Sequence, residues 1–364
     1  MSFEEFWQPL LAVYDKGEAK AIARTVMEMA FGLTMTDIVC GRVQTLDEQA
    51  LLHVRQRLMK GEPVQYVLGE ASFGDRLFTV SPAVLIPRPE TFELCQWIIT
   101  NSECGMRNSE FGIHNSEFGI KRILDIGTGS GCIACTLAAE LPQVQVTAWD
   151  ISPDALTIAA ENTKRHHVDV TFEQVDILDP SWRGKATGRR VSGNFAIPDS
   201  QVGGDLQSPP WDIIVSNPPY ICQNERAGME ANVLNHEPDL ALFVPDDDPL
   251  LFYRSIANYA LHSLAPDGQL FFEINPLYAE QLKEQLTSMG FIHTEIRNDQ
   301  FGRKRFMVCY TSRKNSAQPL PSLQREGRGC AALRKKGTNL ILPTNEQGND
   351  WPAGLPEAHR PLRP

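Results

Sequence analysis

The sequence predicts an α/β protein, a doubly wound parallel sheet preceded by a small helical domain and a connecting β-hairpin. Three observations predict it. From residue 122 to residue 310, short apolar runs rich in β-branched residues alternate with amphipathic helical segments. A glycine-rich turn, Gly127-Thr128-Gly129-Ser130-Gly131, follows the first of those runs. Residues 1–60 instead repeat apolar and charged positions at helical spacing, with no strand pattern.

Taken in order, helices are expected over 19–29 and 47–59, the second opened by a capping box with Glu48 three residues after Thr45. Residues 1–72 form a helical N-terminal module, read as a substrate-docking domain or as a simple packing unit. Runs at 78–80 and 84–86 suggest a β-hairpin linker over 73–90. Arg88, between two prolines, either orients a carboxylate of a partner or pairs with Glu90, and the pairing is favoured slightly. A helix follows over 90–100. Residues 101–121 then hold three near-copies of one heptad, with glycine in every copy, which reads as a duplicated linker inserted before the next strand.

The main domain, 91–311, should continue with a strand at 123–126, a helix at 132–140, a strand at 144–149 and a helix at 153–165 capped by Ser152. Strands at 168–175 and 211–216 come next, then a helix at 250–264, a strand at 268–274, a helix at 279–289 and closing strands at 291–296 and 306–310. Residues 181–210 interrupt this alternation as a polar insertion, and 312–364 read as a disordered tail rich in Pro, Gly, Arg and Lys.

Bulk properties narrow the function classes. A net charge of -11 argues against a broad grip on nucleic acid phosphates. No apolar stretch is long enough to span a bilayer, and the acidic N-terminus lacks the features of a signal peptide. The 8 cysteines show no disulfide spacing, so a cytoplasmic location is expected. Cys132 and Cys135 have redox spacing but read as small buried helix residues. No metal site is expected.

Two segments carry chemistry. Gly127, Thr128, Gly129, Ser130 and Gly131 form a turn that lets a ligand approach the backbone closely. Its G-x-G-x-G spacing, preceded by an acid, departs from the dinucleotide fingerprint and suits a ligand without phosphate. Asp150, at the end of the second strand, is placed to accept ribose hydroxyls, or else to cap the helix near Pro153. Asp176, after the third strand, could face an adenine amine or be merely structural, since Asp179 is nearby and the loop there is interrupted. The implied cofactor is S-adenosylmethionine. The second segment, Asn217-Pro218-Pro219-Tyr220, leaves a buried strand on a stiff double proline. Asn217 offers amide hydrogen-bonding groups and Tyr220 a flat face, which suits holding a planar NH2 group; an ordinary strand-to-loop turn is the plainer alternative.

Together these segments resemble class I S-adenosylmethionine-dependent amino-methyltransferases. Pro63-Val64-Gln65-Tyr66, the run from Leu85 through Pro87, Arg88, Pro89, Glu90 and Thr91, Glu237-Pro238, Leu240-Ala241-Leu242-Phe243 and Phe252-Tyr253-Arg254 make the chain similar to the release factor glutamine methyltransferase family. The resemblance covers residues 1–311 apart from the insertions. It implies a Rossmann-like methyltransferase sheet and N5-methylation of the glutamine in the Gly-Gly-Gln motif of peptide chain release factors. It also implies an N-terminal domain that helps dock the factor. Carried over by position, Gly127 to Gly131, Asp150 and Asp176, with Asn217, would bind the cofactor. Asn217, Pro218, Pro219 and Tyr220 would hold the glutamine amide, with Asn217, Pro218 and Tyr220 catalytic. The chain departs from the family pattern at Ile177, where an aromatic is common, at Phe92, where an acid is usual, and at Asn275-Pro276, where glycine is usual.

Three other readings compete. The same tetrapeptide can hold a base NH2, as in a DNA adenine-N6 or rRNA guanine-N2 methyltransferase; the acidic balance and helical N-terminus weigh against both. A non-catalytic cofactor-binding module is the third.

Overall fold

The computed structural model describes residues 1–107, 120–179 and 210–311. Most of the heptad repeat, the 181–210 insertion except Pro210, and the 312–364 tail lie outside the described residues.

Helices α1 (Phe3–Trp7), α2 (Lys16–Phe31), α3 (Met35–Val39), α4 (Glu48–Leu58) and α5 (Val64–Leu68) open the chain. Phe6, Leu10, Ala23, Val26, Met27, Leu51 and Leu58 are buried together, one apolar stripe from each long helix. Strands β1 (Glu70–Phe73) and β2 (Arg76–Thr79) form a hairpin, and α6 (Pro89–Arg107) follows. Then come β3 (Arg122–Ile126), α7 (Cys132–Glu140), β4 (Gln145–Asp150), α8 (Pro153–His166), β5 (Val170–Gln174) and β6 (Trp211–Ser216). A small subdomain holds β7 (Ile221–Cys222), α9 (Ala231–His236), α10 (Asp239–Leu242) and β8 (Phe243–Val244). The chain closes with α11 (Leu251–Ser263), β9 (Leu264–Glu273), α12 (Ala279–Met289), β10 (His293–Asn298) and β11 (Lys304–Tyr310).

The central sheet has 7 strands in the order β10-β11-β9-β6-β3-β4-β5. Successive side chains point to opposite faces, so Ile123, Ile213 and Val215 pack under α6, α7 and α8, while Leu124, Ile126 and Ile214 pack under α11 and α12. This is the doubly wound α/β fold expected. Strand order reverses between β3 and β6, the crevice where such sheets hold ligands.

The structure corrects several local expectations. The hairpin pairs Glu70–Phe73 with Arg76–Thr79, upstream of the 78–86 pairing expected, and residues 84–86 are not a strand. Gly74, at φ +61°, opens its two-residue turn, and Phe92 packs edge-on against Phe73. Asp47, not Thr45, caps α4 through Gln49 N–H, while the Thr45 hydroxyl donates to the Arg42 carbonyl. Helix α6 runs on through the first heptad copy; the buried Ser102 hydroxyl donates back to the Ile98 carbonyl. The sheet is not wholly parallel, because β11 runs antiparallel to both neighbours. Cys132 and Cys135 are buried free thiols on α7, as small core residues.

Candidate active site

Register brings the separated motifs together. Trp149, Ile126, Ser216 and Phe272 lie in one row across β4, β3, β6 and β9. The residues immediately after that row are Asp150, Gly127, Asn217 and Glu273. The Ser216 hydroxyl donates to the Ile126 carbonyl at 2.6 Å, which locks the start of the tetrapeptide to the start of the glycine loop. Gly127 N–H and Thr128 N–H both donate to the Trp149 carbonyl, closing the loop over β4.

Gly127, Gly129 and Gly131 all have positive φ, at +74°, +54° and +78°. The first two face open space where a Cβ would stand, so the loop presents bare backbone. A Cβ on Gly131 would lie 3.0 Å from the Ala159 Cβ, so this glycine is required for packing against α8. Asp150 Oδ2 accepts from Gly129 N–H at 2.8 Å and Oδ1 from Ser152 N–H at 2.9 Å. Ser152, not Asp150, caps α8 through Ala155 N–H. Each Asp150 oxygen keeps a lone pair for a further donor, which fits a ribose diol. Burial raises its pKa, and the backbone donors of Ser152 and Gly129 oppose the shift. Asp125, under the loop, is fully buried; its Oδ2 accepts from the Thr128 hydroxyl and its Oδ1 has no partner. Burial pushes the Asp125 carboxyl up to about 7, opposed by that hydrogen bond. Asp176 is exposed, and its Oδ1 accepts from Leu178 N–H, so the carboxylate closes its own turn, while Ile177 is buried in the core.

Asn217 Nδ2 donates to the Thr91 hydroxyl at 3.2 Å. Thr91 in turn donates to Glu273 Oε2 at 2.6 Å, and the Tyr220 hydroxyl donates to Glu273 Oε1 at 3.1 Å. Glu273 is only 2 % exposed, and burial raises its pKa against the Thr91 bond and the charge of Arg305. Burial also raises that of the Tyr220 phenol. Pro218 is buried, while Pro219 and Tyr220 are half-buried.

The segment after Tyr220 is tied down from two sides. Asn275 Nδ2 donates to the Tyr220 carbonyl at 3.1 Å and to Glu225 Oε1 at 3.0 Å. Arg88 pairs with Glu237 at 2.6 Å rather than with Glu90, and Glu237 also accepts from Ile86 N–H. The buried acid therefore staples the linker to the β7–β8 subdomain. A groove of about 770 Å³ lined by Trp97, Arg297 and Phe306 lies between α6 and the β10–β11 edge, and none of the row residues lines it.

Comparison with known proteins bears on this arrangement. Residues 119–185 match a methyltransferase domain model. The chain is 38% identical over 305 residues to the release factor glutamine methyltransferase of Bacteroides thetaiotaomicron, covering 83% of this chain and 96% of that one. The chain belongs to that family. The Flavobacterium psychrophilum member of the release factor glutamine methyltransferase family is 37% identical over 83% of this chain and 95% of its own. Among solved structures, a protein-(glutamine-N5) methyltransferase from Alicyclobacillus acidocaldarius is 24% identical, covering 65% of this chain and 99% of that one with a TM-score of 0.34.

Within this family fold, the sequence-derived residues from Gly127 to Gly131, Asp150 and Asn217 to Tyr220 gather at one end of the sheet. Asp176 follows β5, one strand further out, where it is exposed and accepts from Leu178 N–H on one carboxylate oxygen. Sequence reasoning assigned no part in the site to Glu273, and it quoted Thr91 without a role. The available signal was an acid closing the apolar run Leu270, Phe271 and Phe272 at the end of β9. Asn275, noted only as a departure, is the residue that fixes the Tyr220 carbonyl.

Proposed function

We propose that the chain methylates the N5 amide nitrogen of the glutamine in the Gly-Gly-Gln motif of peptide chain release factors, using S-adenosylmethionine. One observation carries the reading: Gly127 and Asn217 stand side by side, each one residue past the paired Ile126 and Ser216. A methyl donor on the glycine loop would thus lie beside an amide clamp.

The residues present fit that donor. Gly127 and Gly129 offer open backbone, Asp150 retains acceptor capacity for ribose hydroxyls, and Asp125 holds an unpartnered buried oxygen beneath the loop. When bound, S-adenosylmethionine supplies an electrophilic methyl group. The chain's own part is positioning. A glutamine amide nitrogen is a poor nucleophile because its lone pair is delocalised into the carbonyl. The Asn217 side-chain oxygen and the Pro218 carbonyl would accept its two hydrogens, and the Tyr220 ring would limit its rotation. Orientation of this kind can contribute roughly 7–11 kcal/mol. No general base is assigned, and water would take the proton that becomes acidic once the nitrogen is methylated.

The helical domain over 1–72 is the proposed docking surface for the factor, with 73–90 linking it to the methyltransferase domain, 91–311. A substrate that acts on ribosomes supports a cytoplasmic site of action. Among the described residues no helix is long and apolar enough to cross a membrane.

The test is incubation with labelled methyl donor and a purified release factor, compared with a factor lacking the Gly-Gly-Gln glutamine. Label should enter only the intact factor. Label in both, or only in added DNA, would overturn the reading.

A further inference from the structure

We propose that Thr91 and Glu273 are positioning residues that decide which end of the Asn217 amide, and which setting of the Tyr220 ring, meets the substrate glutamine. The inference rests on the glutamine-methylation reading and deepens it.

An asparagine amide can turn over without changing its shape, exchanging an acceptor for a donor. A clamp for a substrate NH2 needs the oxygen outward. The orientation follows from proton accounting. An ionised carboxylate only accepts, so Glu273 takes the single Thr91 hydroxyl proton on Oε2 at 2.6 Å. The Thr91 oxygen can then only accept, and the Asn217 atom 3.2 Å away must be Nδ2. Asn217 Oδ1 accepts no hydrogen bond among the described residues and stays available. The second Glu273 oxygen takes the Tyr220 hydroxyl proton at 3.1 Å, so one carboxylate sets both ends of the tetrapeptide. Glu273 is itself braced, since its backbone carbonyl accepts from the Tyr253 hydroxyl.

Thr91 and Glu273 are each 2 % exposed, so neither reaches the substrate and both act through Asn217 and Tyr220. A purely structural role explains the pair poorly. A carboxylate only 2 % exposed, in a stretch of chain otherwise made of Phe271, Phe272 and Ile274, costs desolvation that an apolar side chain would avoid.

The experiment uses the full chain, labelled donor and a purified release factor, with initial rates for wild type, Thr91→Val, Thr91→Ser and Tyr220→Phe. Thr91→Val keeps the shape and removes the proton relay. Its kcat should fall about tenfold, with KM for factor and donor within about twofold, and Thr91→Ser should recover most of the loss. Donor affinity should stay near wild type, while the melting temperature should fall, because the buried Glu273 Oε2 loses its partner. The kcat loss with KM kept, and its recovery by serine, is what a merely structural role would not produce. A Thr91→Val enzyme with wild-type kcat, or a loss confined to KM or to thermal stability, overturns the proposal. If the valine variant does not fold, Tyr220→Phe carries the same expectation at the other carboxylate oxygen: a kcat loss of a few fold with KM kept. A wild type that transfers no label to the factor sinks the glutamine reading and this inference with it; an active wild type with an unaffected Thr91→Val sinks this inference alone.

Discussion

Removing the Asn217 amide while keeping the backbone isolates what that side chain contributes. Asn217→Ala should lower turnover by about 10²–10³-fold, the scale of losing one hydrogen-bonding partner of a reacting group. Donor binding should persist in part, because the glycine loop and Asp150 are untouched; equilibrium dialysis and methyl transfer measured together check both halves. Glu273 adds a pH dependence. Only its ionised form commits the Thr91 proton, and burial raises its pKa, against the opposing charge of Arg305 on β11 and hydrogen bonds from Thr91 and Tyr220, with Glu90 on α6 adding to the rise. As pH falls through that raised value, Glu273 gains a proton it can donate to Thr91, Thr91 can then donate to Asn217, and kcat should drop. The stability term has the opposite sign. A carboxyl that holds its proton more tightly folded than unfolded favours the fold most at low pH, and that contribution is lost as pH rises through the folded value. A profile of kcat from about pH 5 to 8 should therefore show an acidic limb above the ordinary carboxylate range. A flat profile there would count against the Glu273 assignment. At this scale the sequence displayed the residues proposed to hold donor and substrate, because bare glycines and Asn-Pro-Pro-Tyr are unusual in themselves. Glu273 and Thr91 stayed hidden because their meaning depends on a contact across 182 residues.

Helices and strands were legible because their period is local. β3, β4, β6 and β9 alternate faces, and α7, α8, α11 and α12 begin and end within a few residues of the apolar pattern. The hairpin was placed too late because its first strand is not marked by composition: Glu70-Ala71-Ser72-Phe73 has no β-branched residue, whereas its second overlaps the expected 78–80 run. Its pairing is fixed by the Gly74-Asp75 turn and by the packing of Phe73, Phe78 and Phe92. The glycine loop shows a division of labour that composition could not reveal. Gly131→Ala would drive a Cβ against Ala159 at a φ of +78°, and should destabilise the fold by about 1–3 kcal/mol in urea unfolding. Gly129→Ala meets no neighbour, so it should cost less stability and lose more donor affinity. Equal effects of the two substitutions on both measurements would show that the loop has no such division.

Across the whole molecule the hairpin that follows the helical domain is tied to the glycine loop through the Asn162 side chain. Asn162, on α8, is fully buried. Its Nδ2 donates to the Thr79 carbonyl and to the Ser130 carbonyl, both at 2.9 Å, and its Oδ1 accepts from Thr79 N–H at 2.7 Å. Thr79 ends the hairpin, and Ser130 lies in the glycine loop. The hairpin side of this joint is packed further: Tyr66, Ala71, Val80, Val84 and Ile86 share a core with Ala155 of α8, and Arg165 pairs with Glu70 at 2.8 Å. The Arg88–Glu237 pair carries the same linker across to the β7–β8 subdomain. A factor held on the helical domain would thus be held in fixed relation to both the glycine loop and the amide clamp. Asn162→Ala removes three hydrogen bonds, the one to Ser130 buried and the two to Thr79 partly so, and leaves Thr79 N–H without its partner. It should destabilise the fold by about 2–4 kcal/mol. Because Ser130 is one of the carbonyls released, donor affinity should weaken as well, although Asn162 lies outside the row of residues past the strand ends. Denaturant unfolding and donor titration of the same preparation check this, and a variant with reduced stability but wild-type donor affinity would show that the joint bears on folding alone.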